Sequence, residues 1–179
     1  GSSLSTTYAR RKYLMKKLLF VVILCCFPAG ALAETKGFQL SLTPDIAIQT
    51  KTTQIEGVTL GLWSENPQNA LALGIVNGST GDSSGLALSF LANYSENYKG
   101  AQLAWIANYS KGKVEGLQWA AFNYASTLHG LQLGFINYAE RSNKGLQVGF
   151  INIMNETQKW FGNLPNEVAP GMIFVNWRF

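Results

Sequence analysis

Apolar and polar residues alternate with a period of two in a unit that recurs along the chain. The unit is clearest where residues 130–137 (G-L-Q-L-G-F-I-N) recur at 145–152 (G-L-Q-V-G-F-I-N), and successive units begin at nearly constant intervals. Period two is the signature of a β-strand, and a nearly fixed spacing indicates a repeat architecture. The pattern predicts an all-β domain with essentially no helix. The candidate strands are 37–50, 54–63, 69–77, 85–94, 100–109, 115–124, 130–139, 145–154 and 169–179.

Each unit has one bulky apolar face and one face of Gln, Gly, Ala or Ser. Leu133 belongs to the apolar face and Gln132 to the polar face, and simple alternation places Asn137 with Leu133. The units that begin at Gly85 and Gly100 carry one extra residue before their asparagine. Because one residue reverses the facing of every later side chain, the extra residue predicts an asparagine on the opposite face and a bulge or a longer strand in these units.

Two architectures accommodate such a unit. In an antiparallel barrel each unit is one strand and one turn, whereas in a β-solenoid each unit is one coil of about 15 residues. The segments 94–99, 109–115 and 138–144 are polar and lack a second alternating apolar run. Each coil of a solenoid needs a second strand that returns along the other side of the core, and these segments favour turns over such returning strands. We therefore predict an antiparallel closed barrel of 8 to 10 strands, with a β-solenoid of about 15-residue coils as the alternative.

The two architectures assign the apolar face differently. A sheet can span a membrane only as a closed barrel, with apolar side chains toward lipid. A barrel therefore predicts Leu133 toward lipid and Gln132 in the lumen, so that Leu133→Arg disrupts folding and Gln132→Leu is tolerated. A solenoid with its apolar face inside predicts that Leu133→Ala opens a cavity in the core.

Residues 1–33 predict an upstream segment followed by a secretory signal. A basic pair at Lys16 and Lys17 precedes an apolar run of about ten residues, which is shorter than the ~20 residues of a membrane-spanning helix. Small residues then lead to a cleavage site near Ala33. Residues 34–179 form a single repeat-built β domain in this interpretation.

Removal of the leader changes the composition of the mature chain. Both cysteines, Cys25 and Cys26, lie in the leader, so the mature chain has no disulfide, thiolate metal site or cysteine nucleophile. Five of the 14 basic residues precede Glu34, whereas all 10 acidic residues lie at or after this position, so the mature balance is 9 minus 10, or −1. This balance removes the argument for a nucleic acid partner.

The C-terminal segment has apolar residues at alternate positions before a terminal aromatic. Ile173, Val175, Trp177 and Phe179 share one face. This segment resembles the C-terminal recognition strand of bacterial outer-membrane β-barrels. The resemblance implies contact with outer-membrane lipid and with the barrel assembly machinery, and it predicts that deletion of Phe179 or the substitution Trp177→Asp blocks insertion.

The whole repeat also resembles a known group of proteins. The G-L-Q-x-G-hydrophobic-x-N units, together with the L-S-L-T-P opening at Leu40 to Pro44, are similar to those of bacterial surface-repeat proteins. The resemblance covers most of the mature chain and implies a location at the bacterial outer membrane or cell surface. It implies no catalytic residues.

Catalytic motifs are weak. Ser83 lies in a formal G-x-S-x-G match, but the nucleophile elbow requires a strand-to-helix turn and this match falls between two β-units. In a barrel-type lipid hydrolase, Ser126 and His129 would form the reacting pair, oriented by Glu115 or Glu140. The acidic residues are scattered singly, without the clustering of metal ligands.

These observations predict a non-enzymatic outer-membrane or surface β-barrel protein with a structural, adhesive or interaction role. A secreted or surface β-solenoid binding module is the alternative, and an outer-membrane barrel lipid hydrolase is the second alternative. No catalytic, cofactor-binding or metal-binding residue is predicted, no cofactor is expected, and the sequence does not identify the ligand.

Overall fold

All regular elements of the described structure are β-strands. The computed structural model describes residues 34–155 and 171–178. The all-β prediction is confirmed for these residues. The strands are β1 (Thr35–Thr43), β2 (Ile46–Ala47), β3 (Gln54–Asn66), β4 (Asn69–Ala104), β5 (Ala107–Trp119), β6 (Phe122–Leu133), β7 (Ile136–Met154) and β8 (Gly171–Arg178).

The strands form one sheet in the order β2-β1-β3-β4-β5-β6-β7-β8. β1 pairs in parallel with β3, and each strand from β3 to β6 pairs in parallel with the next. Equivalent positions of successive repeats lie beside each other, as Asn108, Asn123 and Asn137 do. Each repeat is therefore one coil stacked on the coil before it. The protein is a β-solenoid, and the predicted antiparallel closed barrel was wrong.

Antiparallel pairing is confined to the two ends of the described sheet. The short β2 pairs with β1, and β8 pairs with β7. These strands cover the end coils, and such caps protect the exposed backbone groups of an edge strand. Gly171–Arg178 falls within the predicted last strand, but it forms a cap and closes no barrel. Phe179 lies outside the described residues, as does the predicted leader.

The polar segments that favoured turns are returning strands. Residues 109–115 lie within β5, where Ser110 and Val114 are buried, and the next coil buries Ala125 and Leu128 at the corresponding stage. On the returning side, the narrow interior is filled by small side chains and, in three successive coils, by one larger residue, which is Tyr98, Val114 or Leu128. An alternating apolar run is therefore unnecessary on the returning side, and the absence of such a run did not exclude a solenoid.

The interior of the solenoid is polar. Gln132 is fully buried, whereas Leu133 points outward and is partly exposed. The sequence prediction that Gln132 faces inward and Leu133 faces outward is correct, although the interior is that of a solenoid. The alternative prediction of an apolar solenoid core built from Leu133 and its equivalents was wrong.

Two ladders of side-chain amides occupy this interior. In each ladder, the amide of one coil donates a hydrogen bond to the side-chain oxygen of an adjacent coil, at 2.8–3.1 Å between asparagines and 2.7–3.0 Å between glutamines. Such ladders satisfy polar groups that would otherwise be costly to bury. The asparagines are Asn77, Asn93, Asn108, Asn123, Asn137 and Asn152, and the glutamines are Gln102, Gln118, Gln132 and Gln147.

A corner in each coil aligns the asparagines. The backbone bends at residues 134–135 and again at the equivalent residues 120–121 and 105–106. Because the bend interrupts the alternation, Asn137 points inward with Gln132, and its predicted place on the Leu133 face was wrong.

The extra residue of two coils lies at this corner. Before the corner, Leu103 pairs with Trp119, which is 16 residues later in the chain. After the corner, Ala107 pairs with Phe122, which is 15 residues later. The extra residue is therefore taken up between 103 and 107, and Asn108 keeps its place in the ladder.

Asn108 lies inward with Gln102, the face on which the extra residue predicted it. The predicted difference in facing between Asn108 and Asn137 was wrong, because both asparagines point inward in one ladder.

A column of glycines at the start of the coils permits close stacking. Gly116 has a φ of 134°, and a Cβ at this position would lie 2.0 Å from the carbonyl oxygen of Gly100 in the coil below. A side chain is thus excluded both by the backbone conformation and by the neighbouring coil. This constraint explains why the repeat begins with glycine.

The polar interior reverses the mutational expectations for the barrel. Gln132 donates to Gln118 Oε1 at 2.8 Å and accepts from Gln147 Nε2 at 2.7 Å. We expect Gln132→Leu to lower the free energy of unfolding by about 1–3 kcal/mol for each buried polar group left without a partner. Leu133→Arg should cost less than about 1 kcal/mol, since a long side chain on the outer surface reaches water.

Urea unfolding of the two variants measures this difference. The same experiment with Leu133→Ala serves as a control for loss of outward apolar contacts. A greater loss of stability in Leu133→Arg than in Gln132→Leu would contradict the assignment of these two side chains.

Candidate binding surface

Large apolar side chains cover the outside of the coils. We define the apolar face by two rows that cross the coils: an inner row of Leu73, Leu88, Leu103, Trp119, Leu133 and Val148, and a corner row of Phe90, Trp105, Phe135 and Phe150. Trp105 is 74% exposed, Phe90 63%, Phe135 59% and Trp119 58%. Exposed side chains of this size in one patch mark a binding surface more often than a solvated one.

The apolar face is free of charge over many coils. The segments that supply it contain no Asp, Glu, Lys, Arg or His. Its rows follow from the register, which places Leu103, Trp119, Leu133 and Val148 side by side. In the corner row, Phe135 and Phe150 stack with ring centroids 5.2 Å apart. The uncharged segments are 71–77, 86–94, 101–109, 117–124, 131–138 and 146–154.

A groove of about 640 Å³ lies between the two rows. Leu103 and Trp119 line one side of the groove, Phe90 and Trp105 line the other, and Ala104 is among the small residues between them. Phe90 and Trp105 belong to the two coils that carry the extra residue. This volume is within the range of small-molecule sites, about 300–1,000 Å³.

A second apolar cavity lies at the N-terminal end of the solenoid. Its volume is about 510 Å³, and it is lined by the outward side chains of Leu40 and Leu42, by Ile46 of β2 and the adjoining Ile48, and by Leu62. The apolar surface therefore continues from the central coils to the capped end.

Tyrosines form a row at the border of the apolar segments. Tyr109, Tyr124 and Tyr138 stack on one another with ring centroids 4.8 Å and 5.5 Å apart. At one end of the same column, Tyr94 accepts a hydrogen bond from Trp63 Nε1 at 2.9 Å and donates to Glu65. Each ring thus lies between the apolar segment of its coil and the charged returning segment.

Glu140 ties this row to the returning segment. Its carboxylate accepts hydrogen bonds from the hydroxyls of Tyr124 and Ser126, both at 2.7 Å. These hydrogen bonds lower the pKa of Glu140. The hydrogen bond to the carboxylate also raises the pKa of Tyr124 to about 12, and desolvation makes a smaller contribution in the same direction. Arg141 donates to Ser126 Oγ at 3.2 Å, so the group is internally paired.

The charged side chains of the central coils lie on the returning segments. Lys99, Glu115, His129 and Lys144 occupy one column. Lys113 forms an ion pair with Glu115, and its hydrogen bond and charge hold the pKa of this carboxyl below its usual value. The four coils that carry Tyr94, Tyr109, Tyr124 and Tyr138 therefore present an apolar segment, a tyrosine and a segment with charged or ionisable residues in this order.

The residues that the sequence analysis weighed as catalytic candidates are dispersed or used structurally. Ser83 is buried within β4, where its hydroxyl donates to Thr80 O at 2.8 Å and accepts from Gln68 N at 3.0 Å. Ser126 bonds directly to Glu140, whereas His129 points to solvent from the charged column. The structure does not assemble Ser126 and His129 into a nucleophile and base.

Two further observations concern the residues in 34–155 and 171–178. No group of three or more His, Cys, Asp or Glu residues in these ranges is arranged to hold a metal ion. No helix in the same ranges is long and apolar enough to cross a membrane.

Comparison with protein-family models finds no matching family, and comparisons with curated proteins and with solved structures find no significant match. The resemblance to bacterial surface-repeat proteins therefore rests on the repeat itself. Sequence reasoning identified the outward residues of the apolar face but missed the groove, because its lining comes from several adjacent coils whose stacking the pattern of a single strand does not give.

The pKa of Tyr124 provides a test of the border row. The phenol of an unfolded tyrosine has a pKa of about 10. A folded-state pKa of about 12 contributes stability that is present below pH ~10 and is lost as the pH rises through ~12. We expect Glu140→Gln to return the pKa of Tyr124 toward 10, because the charged acceptor is lost.

Ultraviolet titration of the phenolate measures this shift. Each protein is compared with its own Tyr124→Phe counterpart to isolate one tyrosine, and circular dichroism confirms that both remain folded. Identical titration of Tyr124 with and without Glu140 would contradict the hydrogen bond.

Proposed function

We propose that this chain is a non-enzymatic surface binding module, a β-solenoid that binds its partner through the apolar face. The observation that carries the proposal is the uncharged, aromatic-rich outer surface of consecutive coils. Folding leaves Trp105, Trp119 and Phe135 exposed, and burial of these side chains against a partner is favourable in proportion to the apolar area removed from water.

The size of the apolar face supports this role. The register extends the line of the inner row by one strand segment at each end, to Leu60 and to Val175, so that it crosses eight strand segments. With strands ~4.8 Å apart and residues ~3.3 Å apart, a face five residues wide measures about 34 Å by 16 Å, or roughly 500 Å². The largest apolar patches on monomeric proteins are about 300–600 Å² and are often functional.

The arrangement of polar residues supports binding over catalysis. The buried amides of the interior bond to one another, and Ser83, Ser126 and Glu140 each have structural partners. The predicted leader at residues 16–33 supports export, and a location at the bacterial cell surface remains part of the proposal.

Fractionation of cells tests the role of the face. We expect the chain, expressed in a Gram-negative host, to stay with the cell envelope, and we expect Trp119→Lys and Phe135→Lys to release it into the soluble fraction. Both substitutions lie on the outside, so the solenoid should persist. Lys111→Gln, an exposed change on the returning side, is the matched control and should leave the distribution unchanged.

Purified variants are checked by circular dichroism, so that release is not a result of unfolding. The same envelope association in the wild type and both face variants would contradict the proposal. A soluble wild-type chain would contradict it as well.

A further inference from the structure

The apolar face lacks the groups by which a protein partner is usually recognised. From residue 71 to residue 151, its outward side chains are aliphatic or aromatic, and the indole nitrogens of Trp105 and Trp119 are its polar atoms. Protein interfaces carry about one hydrogen bond per 100–200 Å², supplied in part by a polar rim. A face of roughly 500 Å² with two side-chain donors suits a hydrocarbon partner better.

The order of residues around each coil matches the layers of a membrane surface. In the coil that contains Trp105, an apolar segment is followed by Tyr109 and then by Lys111, Lys113 and Glu115. Aromatic side chains with a polar end collect at the boundary between lipid headgroups and hydrocarbon, and charged side chains remain in water. Stacking of the coils repeats this order along the solenoid.

Charges on the returning segments determine how deeply the solenoid can enter. From Asp82 to Lys144, each returning segment carries at least one charged or ionisable residue, and burial of such groups in hydrocarbon is costly. The apolar face can enter a lipid layer, whereas the opposite side must stay in water. Peripheral binding satisfies both requirements, and a membrane-spanning position does not.

On these grounds, and resting on the proposed binding function, we infer that the apolar face binds the acyl region of one leaflet of a lipid membrane. The solenoid lies on the membrane, with Trp105, Trp119 and Phe135 in the outer acyl region and the row of tyrosines at the headgroups. The groove between the two apolar rows receives part of an acyl chain. The uncharged face makes this binding independent of anionic headgroups.

Flotation with phosphatidylcholine vesicles tests this inference on the full chain. We expect the wild type to float with the vesicles, including at ionic strength of about 1 M, where the Debye length is only about 3 Å. Trp105→Asp and Phe135→Asp should each reduce the bound fraction at least tenfold. Lys111→Asp is the matched control, an exposed change to the same residue on the returning side, and should float like the wild type.

Tryptophan fluorescence locates the bound face. Lipids with brominated acyl chains should quench the wild type more strongly than Trp119→Phe, because Trp119 borders the groove. Circular dichroism and urea unfolding confirm that each variant is folded. Quenching that does not change with Trp119→Phe would place the acyl chains elsewhere and overturn the inference.

Other outcomes distinguish this inference from the proposed function. Absence of flotation overturns the lipid inference, and so does flotation that persists in both aspartate variants. If the face variants are released from the cell envelope but the wild type does not float with vesicles, the partner is a protein. That result overturns the lipid inference and supports the proposed binding function. A stable lipid-free dimer that Trp105→Asp dissociates, without vesicle binding, identifies a second copy as the occupant.

Discussion

Hydrogen bonds between stacked side-chain amides set the constraint on which this structure depends. A buried amide is costly unless its donors and acceptors are paired. Asn123 meets this requirement only when Asn108 and Asn137 lie directly beside it in the neighbouring coils. The ladders therefore fix the register, hold the corner of each coil in one place, and require that coils of unequal length absorb their difference away from the asparagine.

A narrow polar interior also decides where the large apolar residues go. Small residues such as Ala87 and Ala125 occupy part of the interior, and most of the large Leu, Phe and Trp side chains point outward, with Leu128 as a buried exception. Much of the hydrophobic surface thus remains exposed after folding, unlike that of a domain built around an apolar core. This surplus connects the fold to the proposed binding of a partner through the apolar face.

The period-two pattern predicted the facing of Gln132 and Leu133 because side-chain alternation is a property of a single strand. It did not predict the partner of that strand, because parallel and antiparallel strands alternate in the same way. The bend at residues 134–135 leaves no signal in the alternation, so the inward Asn137 was missed. In the returning strand, the buried positions are Ser110 and Val114, and the residues around them are polar. Two such positions make an alternation too weak to distinguish a core-facing strand from a turn.

Solvent access to individual side chains in the lipid-free chain tests the central claim, an interior of amides and an exterior of aromatics. In NMR spectra, the side-chain amide protons of Gln118 and Gln132 should exchange slowly with deuterium, while a soluble paramagnetic agent should broaden the indole protons of Trp105 and Trp119. Rapid exchange of the glutamine amides together with protected indoles would contradict the account.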